Sequence, residues 1–291
     1  MKTNEILDKF FHYLKIKGSS KHTLKAYKLD LQDYLKHLSE EHINEKDLSN
    51  LFINATSVEF KTYKFYLGAS SPATVKRKFM TLKRFLDWCV QEGYRKQKLP
   101  EAIKLPKFQT LSPRWLTRNE MNSIQRALET KRNLRDKTIV NLLYHTGIRV
   151  GELVSLRWED IDTGRYQGTL RIRKGKGEKE RLVPLNATAR NLLQKYEESL
   201  VKREDYLFYG IRKNPLNEDG VLRMFYSLSK QAGVKVTPHA LRHTFCKNLL
   251  ESNVSIDKIA TLAGHSSLTV TQKYTTPSLQ DLSKAVVHLE D

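Results

Sequence analysis

Two cysteines in 291 residues, Cys89 and Cys246, leave no material for a disulfide framework, and no Cys-x-x-Cys pair is present for zinc or redox work. Both fall inside apolar helical patterns and read as reduced, buried small hydrophobes of a cytosolic protein. No run approaches the ~18 apolar residues of a membrane span. The opening MKTNEILDKFFHYLKIKG is charged and amphipathic throughout, which excludes a signal peptide. A lipidation motif and a basic amphipathic tail are both missing, so an anionic membrane surface has no support as a partner. Internal repeats and low-complexity segments are absent too. Acidic residues are the conspicuous shortage: 32 Asp and Glu face 51 Lys and Arg, a formal net charge of +19. Such a chain repels itself unless a partner brings the counter-charge, and nucleic acid is the partner that does so most directly.

Residues up to about 99 read as helices alone. One runs from Thr3 to about Lys17. Gly18 ends it, and Ser19 and Ser20 offer an N-cap for the next, in which Leu24, Tyr27, Leu31, Tyr34, Leu35 and Leu38 keep helical spacing. A third fills SVEFKTYKFYLG, and a fourth starts with Ser71 as cap and Pro72 in its first turn and stops at Gly93. The fourth carries an apolar stripe of Val75, Phe79, Leu82, Phe85, Leu86 and Cys89, flanked by Lys76, Arg77, Lys78, Lys83 and Arg84. A charge run is ordinarily a solvated face, but this one has a single sign, which makes those five residues candidates for phosphate contact. Pro100, Pro106 and Pro113 then mark an extended, semi-stiff linker. Thr117 and Glu120 form a capping box that opens a second domain, read as helices, a strand pair at TLRIR (169–173) and ERLVPL (180–185), and helices again.

Four patterns in the second domain carry chemistry when taken together. In HTGIRVGELVSLRWEDID, Arg149 and Glu152 lie three apart, so the carboxylate can hold the guanidinium; alone, this is an ordinary helical ion pair. KGKGEKER is a basic turn between strands that reads plainly as a hairpin and also puts Lys176 at its tip. Its spacing is wrong for a P-loop, with no Ser or Thr after a Gly-Lys pair. In TPHALRHTF, Thr237 caps a helix and His239 and Arg242 project one turn apart near an N-terminus that favours anions. The His239–His243 spacing also suits zinc, but no third ligand and no glutamate of the His-Glu-x-x-His kind accompany it, so no metal is expected. In ATLAGHSSLTVTQKYTT, His265 precedes Tyr274 by nine residues, near the end of a helix read from Ser267. A tyrosine usually just supplies buried area.

The order Arg, Lys, His-x-x-Arg, His, Tyr changes that weighting. TGIRVGELVSLRWEDID, GKGEKERLVPL, HALRHTF and LAGHSSLTVTQKYT resemble the signature blocks of the tyrosine recombinases, the phage-integrase family, and in compactness the chain is nearest their Xer-type branch. The resemblance implies a mainly α fold with a small antiparallel β-sheet in two domains. A helical core-binding domain would span 1–104, a linker 105–116 and a mixed α/β catalytic domain 117–278. A C-terminal helix over 279–291 would dock on a neighbouring subunit. It implies Tyr274 as nucleophile, Arg149 and Arg242 as the phosphate clamp, His239 and His265 as the two histidines, and Lys176 as the hairpin lysine, with Glu152 in support. The partners implied are double-stranded DNA recombination sites and three further copies of the chain, engaged through Leu279, Leu282, Val286 and Leu289. No cofactor and no metal are implied, and the location is cytoplasmic.

The chemistry is coherent without the family. A phosphodiester repels nucleophiles, and two guanidiniums on its non-bridging oxygens both place it and neutralise developing charge. A phenol of pKa near 10 needs a histidine to help it attack at neutral pH, and a lysine can protonate the departing 5′-oxygen. Two other readings compete. A type IB topoisomerase resembles the same constellation, but the apolar stripe beyond Tyr274 suits an assembly rather than a monomer. A DNA-binding regulator that never cuts would suit the charge, yet it leaves six matching positions without explanation.

Overall fold

The computed structural model describes residues 3–40, 45–96, 114–173, 180–210, 213–265 and 271. Lys176, Tyr274, the helix read from Ser267, most of the 105–116 linker and the stripe Leu279, Leu282, Val286 and Leu289 lie outside them. The chain divides into two compact units, residues 1–110 and 111–291. It is mostly helical with one small antiparallel sheet. Among the described residues, no helix is long and apolar enough to cross a membrane.

The first unit holds five helices: α1 (Thr3–Ile16), α2 (Lys21–Ser39), α3 (Glu45–Ile53), α4 (Ser57–Tyr66) and α5 (Pro72–Gln91). Helix α3 is one more than the periodicity predicts. Its nine residues are too short to display an apolar period, and it is held by Phe52, buried among the other helices. Side-chain caps start α2 and α5: of the two serines offered, Ser20 accepts from the Thr23 N–H at 3.1 Å, and Ser71 accepts from the Thr74 N–H at 3.3 Å. Every member of the α5 stripe is buried. Phe85 meets Phe10 edge-on at 5.2 Å between ring centroids and lies 4.7 Å from Phe52, so aromatic packing joins α1, α3 and α5.

In the second unit follow α6 (Arg118–Lys131), α7 (Leu134–Thr146), α8 (Val150–Ser155), β1 (Ile161–Asp162), β2 (Gly168–Ile172), β3 (Arg181–Leu185), α9 (Ala187–Glu198), α10 (Glu218–Ala232), α11 (Pro238–Glu251) and α12 (Ile256–Ala263). The sheet order is β1-β2-β3, antiparallel throughout, with Leu170 opposite both Ile161 and Val183. Strand β1 is the second element the sequence does not foreshadow, because two residues cannot show a period-2 pattern. Helix α7 is buried on nearly every side, from Asp136 to Thr146, as befits a central helix packed by α9, α11 and β3. Its interior polar groups are matched: Gln125 on α6 donates to the Asn141 side chain at 2.9 Å. The described candidate site residues gather where α7 ends, α8 and α11 begin, and α12 stops.

Candidate active site

Gly147 terminates α7 with φ 63°, its N–H donating to the Leu143 carbonyl at 3.0 Å. The glycine is needed twice over, because a Cβ there would also lie 2.2 Å from Cδ1 of the Phe245 ring. The chain reverses through buried Ile148 and reaches Arg149 in an extended conformation at the N-cap of α8. Arg149 is therefore beside the helix rather than on its face, and Glu152, in the first turn, takes both its groups. One carboxylate oxygen accepts the Arg149 backbone N–H at 2.8 Å and the other accepts Nη1 at 2.9 Å. Arg149 Nη2 donates to the carbonyl of Gly264 at 2.5 Å, across 115 residues of sequence.

Helix α11 supplies the next pair. Thr237 caps it, accepting from the Ala240 N–H at 3.0 Å, and Pro238 occupies the first turn. His239 stands at the exposed edge. Arg242, only 4% exposed, donates through Nη1 to the Gly147 carbonyl at 2.6 Å. Partial burial of the ring against its neighbours, and then the charge of Arg242, hold the His239 imidazole below the ordinary histidine range. The His239 and His243 rings pack edge to face at 4.2 Å, and among the described residues no group of three or more His, Cys, Asp or Glu side chains is arranged to hold a metal ion.

His265 follows Gly264, which ends α12 with φ 68°. Its backbone N–H returns to the Ala260 carbonyl at 2.9 Å, and its Nδ1 lies 2.8 Å from Oγ1 of buried Thr271. Burial and the surrounding charges of Arg242, Arg149, Arg181 and His239 push its pKa down to about 4. The imidazole is thus neutral at pH 7, with a ring nitrogen able to accept a hydrogen bond. Glu152 shows the converse balance: burial would raise its carboxyl, but the bonds from Arg181 and the Arg149 backbone, with both arginine charges, bring it below the usual carboxylate range.

Arg149, Glu152, His239, Arg242 and His265 are thereby brought together from three separate stretches of chain. Arg181 joins them, although the sequence does not single it out. The signal was present in the strand alternation: Arg181 shares an inward face with buried Val183 and Leu185, while Leu182 and Pro184 point out. An arginine on a buried strand face needs a carboxylate, and Glu152 provides it. The candidate phosphate contacts belong to the other unit. There Lys76, Lys83 and Arg84 are exposed, whereas Arg77 is paired with Asp30 at 2.5 Å and Lys78 with Asp33 at 2.6 Å.

Two arginines and two histidines gathered at one site in the second unit suit the handling of an anionic phosphodiester, and comparison with known proteins gives the family. Residues 114–280 match the model of the phage integrase family, and residues 7–93 match that of the phage integrase N-terminal SAM-like domain. The tyrosine recombinase XerD of Oceanobacillus iheyensis is 32% identical over 280 residues, covering 92% of each chain. The tyrosine recombinase XerC of Staphylococcus aureus is 33% identical over 295 residues, covering 98% of this chain and 96% of that one. Among solved structures, XerA recombinase aligns over 100% of this chain and 99% of its own at 27% identity and a TM-score of 0.55. A lambda integrase dimer bound to a COC′ core site shares the fold at 22% identity, a TM-score of 0.74 and coverage of 93% and 97%. The chain belongs to the phage integrase family of tyrosine recombinases. It is an enzyme of site-specific recombination, similar to XerC, XerD and XerA.

Proposed function

We propose that this recombinase cuts and rejoins DNA through a 3′-phosphotyrosyl intermediate formed on Tyr274, within a synapse of four copies in the cytoplasm. The observation that carries the reading is the convergence on His265 of the charges of Arg149 and Arg242, residues from separate stretches of chain held on the backbone at Gly264 and Gly147. Two guanidiniums fixed to carbonyls are preorganised for an anion and need no rearrangement when it arrives.

In this reading Arg149 and Arg242 take the non-bridging oxygens of the scissile phosphate. The Tyr274 oxygen attacks phosphorus as a neutral histidine, His239 or His265, accepts the phenol proton or a hydrogen bond in its path. The bond from phosphorus to the 5′-oxygen breaks, and Lys176 protonates the leaving oxygen. Attack by the 5′-hydroxyl of an exchanged strand reverses each step, so the phosphotyrosyl ester conserves the bond energy. Cationic side chains supply the charge neutralisation, and the reaction as drawn takes no metal, nucleotide or other cofactor.

Some relatives of known structure are described as bound to recombination sites, as dimers or, for lambda integrase, as a tetramer on a Holliday junction. By analogy the partner here is a double-stranded recombination site, gripped by the exposed cations of α5. The test is a DNA duplex nicked next to the cleavage position, so that the short leaving strand diffuses away. Wild-type protein should accumulate a covalent adduct on a denaturing gel, and Tyr274→Phe should form none while binding the duplex with nearly unchanged affinity. An adduct with Tyr274→Phe would assign the nucleophile elsewhere.

A further inference from the structure

Glu152 lies between two guanidiniums. On one side are the two bonds from Arg149. On the other, Arg181 meets the carboxylate fork to fork, Nη1 to Oε1 and Nη2 to Oε2, both at 2.8 Å. The Arg181 and Glu152 side chains are each only 10% exposed. Arg181 also reaches the end of α12, donating from Nε to the Leu262 carbonyl at 3.2 Å and from Nη2 to the Ala263 carbonyl at 3.3 Å. The next carbonyl, that of Gly264, belongs to Arg149. Three successive carbonyls at the negative end of one helix are thus divided between two arginines that share one carboxylate. The fit is close enough that a Cβ on Gly264 would lie 2.6 Å from Cζ of Arg181.

We propose that Arg181 is a positioning residue, which through Glu152 and the end of α12 sets the guanidinium of Arg149 and the turn that presents His265. The inference rests on the reading of Arg149 and His265 as groups that face the scissile phosphate. Charge counting supplies the reason for a second arginine. Arg149, Glu152 and Arg181 together carry one net positive charge. Without Arg181, Glu152 is left to Arg149 alone, and the pair is neutral just where a phosphate must be attracted. Arg181 occupies the carboxylate and leaves Arg149 its charge. Because Arg181 opens β3, the same bonds tie the strand that follows the Lys176 segment to α8 and α12.

The experiment uses the full chain and the nicked duplex in two forms, one with a normal scissile phosphate and one with a methylphosphonate there, which is neutral. DNA affinity and the single-turnover rate of adduct formation are measured for wild type, Arg149→Ala, Arg181→Gln and Arg181→Lys. Arg181→Gln should bind DNA as wild type does but cleave the normal phosphate more slowly, by on the order of 10- to 100-fold. Arg181→Lys, which keeps the charge and loses the fork, should fall between the two. On the methylphosphonate, where clamping an anion no longer matters, the deficits of Arg149→Ala and Arg181→Gln should shrink together. A wild-type rate for Arg181→Gln on the normal phosphate would overturn the inference. So would an equal deficit on both substrates, which is what a merely loosened fold produces. If Arg181→Gln fails to fold, Arg181→Lys carries the same two-substrate comparison. A wild-type rate for Arg149→Ala would instead remove the underlying assignment of the site.

Discussion

Arg242 donates to the carbonyl oxygen of Gly147 at 2.6 Å, so a side chain near the start of α11 is fastened to the backbone that ends α7. The same glycine lies against Phe245, one turn further along α11. One peptide corner therefore sets the distance between α7 and α11, the pose of Arg242, and the direction in which the chain leaves for Arg149. The two arginines of the proposed clamp are built around a residue that has no side chain.

That arrangement makes Gly147→Ala a severe change. The added methyl meets the Phe245 ring and must adopt a left-handed conformation, at a combined cost of roughly 2–4 kcal/mol. Urea unfolding should show the loss, and Phe245→Leu in the Gly147→Ala background should recover part of it. Unchanged stability of Gly147→Ala would mean that α11 does not pack on this corner.

Much of this site is legible in the sequence because its parts are local: a cap, a pair three residues apart, a glycine before a histidine. Thr237, Glu152 and Gly264 each sit beside the residue they serve. Arg181 is different. Its partners come from α8 and α12, 29 and 81 residues away, and it follows the lysine-rich sequence KGKGEKE, where one more positive charge looks like solvated surface. The same limit applies to the fold. The long helices announce themselves by period and cap, while α3 and β1 are too short to do so and owe their existence to tertiary packing.

The five cations of α5 should not behave alike. Asp30 is buried and also accepts from Oγ1 of Thr81 at 2.8 Å, so Arg77 completes a structural pair rather than offering a free charge. Lys78 is only 14% exposed and binds an Asp33 that Tyr63 also serves. Lys83→Ala and Arg84→Ala should each flatten the salt dependence of DNA binding by about 0.9 in log–log slope. The wild-type slope should lie near −7 if ~8 phosphates are neutralised. Arg77→Ala and Lys78→Ala should flatten it less and cost about 1–2 kcal/mol of stability instead. Equal slope changes at all four positions would remove the distinction.

Beyond Tyr274, Pro277 disfavours a continuous helix and Leu279, Leu282, Val286 and Leu289 repeat at helical spacing. Burying four such side chains on another copy is worth roughly 1.5–3 kcal/mol each before ordering costs, enough to bias assembly without making it permanent. Deleting residues 279–291 should therefore spare binding to a single site and abolish recombination between two. Recombination at the wild-type rate by the truncated protein would assign the stripe to the chain's own core.

The last prediction concerns pH. Folded His265 resists protonation down to about 4, whereas the unfolded imidazole takes up a proton near the ordinary value of 6.5. Its contribution to stability is therefore complete above about 6.5 and is lost as the pH falls from there towards 4. His239, also held below its ordinary value, acts in the same direction. Carboxylates titrate in the lower part of this window too, so the wild-type slope alone decides nothing, and the comparison must be with His265→Gln. Glutamine can still bond Thr271 but has no proton to gain. Urea unfolding at pH 7, 6, 5 and 4.5 should show wild type losing stability faster than His265→Gln, with the difference opening below about 6.5. Added DNA should narrow it, because a phosphate beside the imidazole favours the charged form that the arginines oppose. Parallel slopes for the two proteins would mean that His265 is not enclosed by Arg149, Arg181 and Arg242, and the convergence on which the active-site reading stands would fail with it.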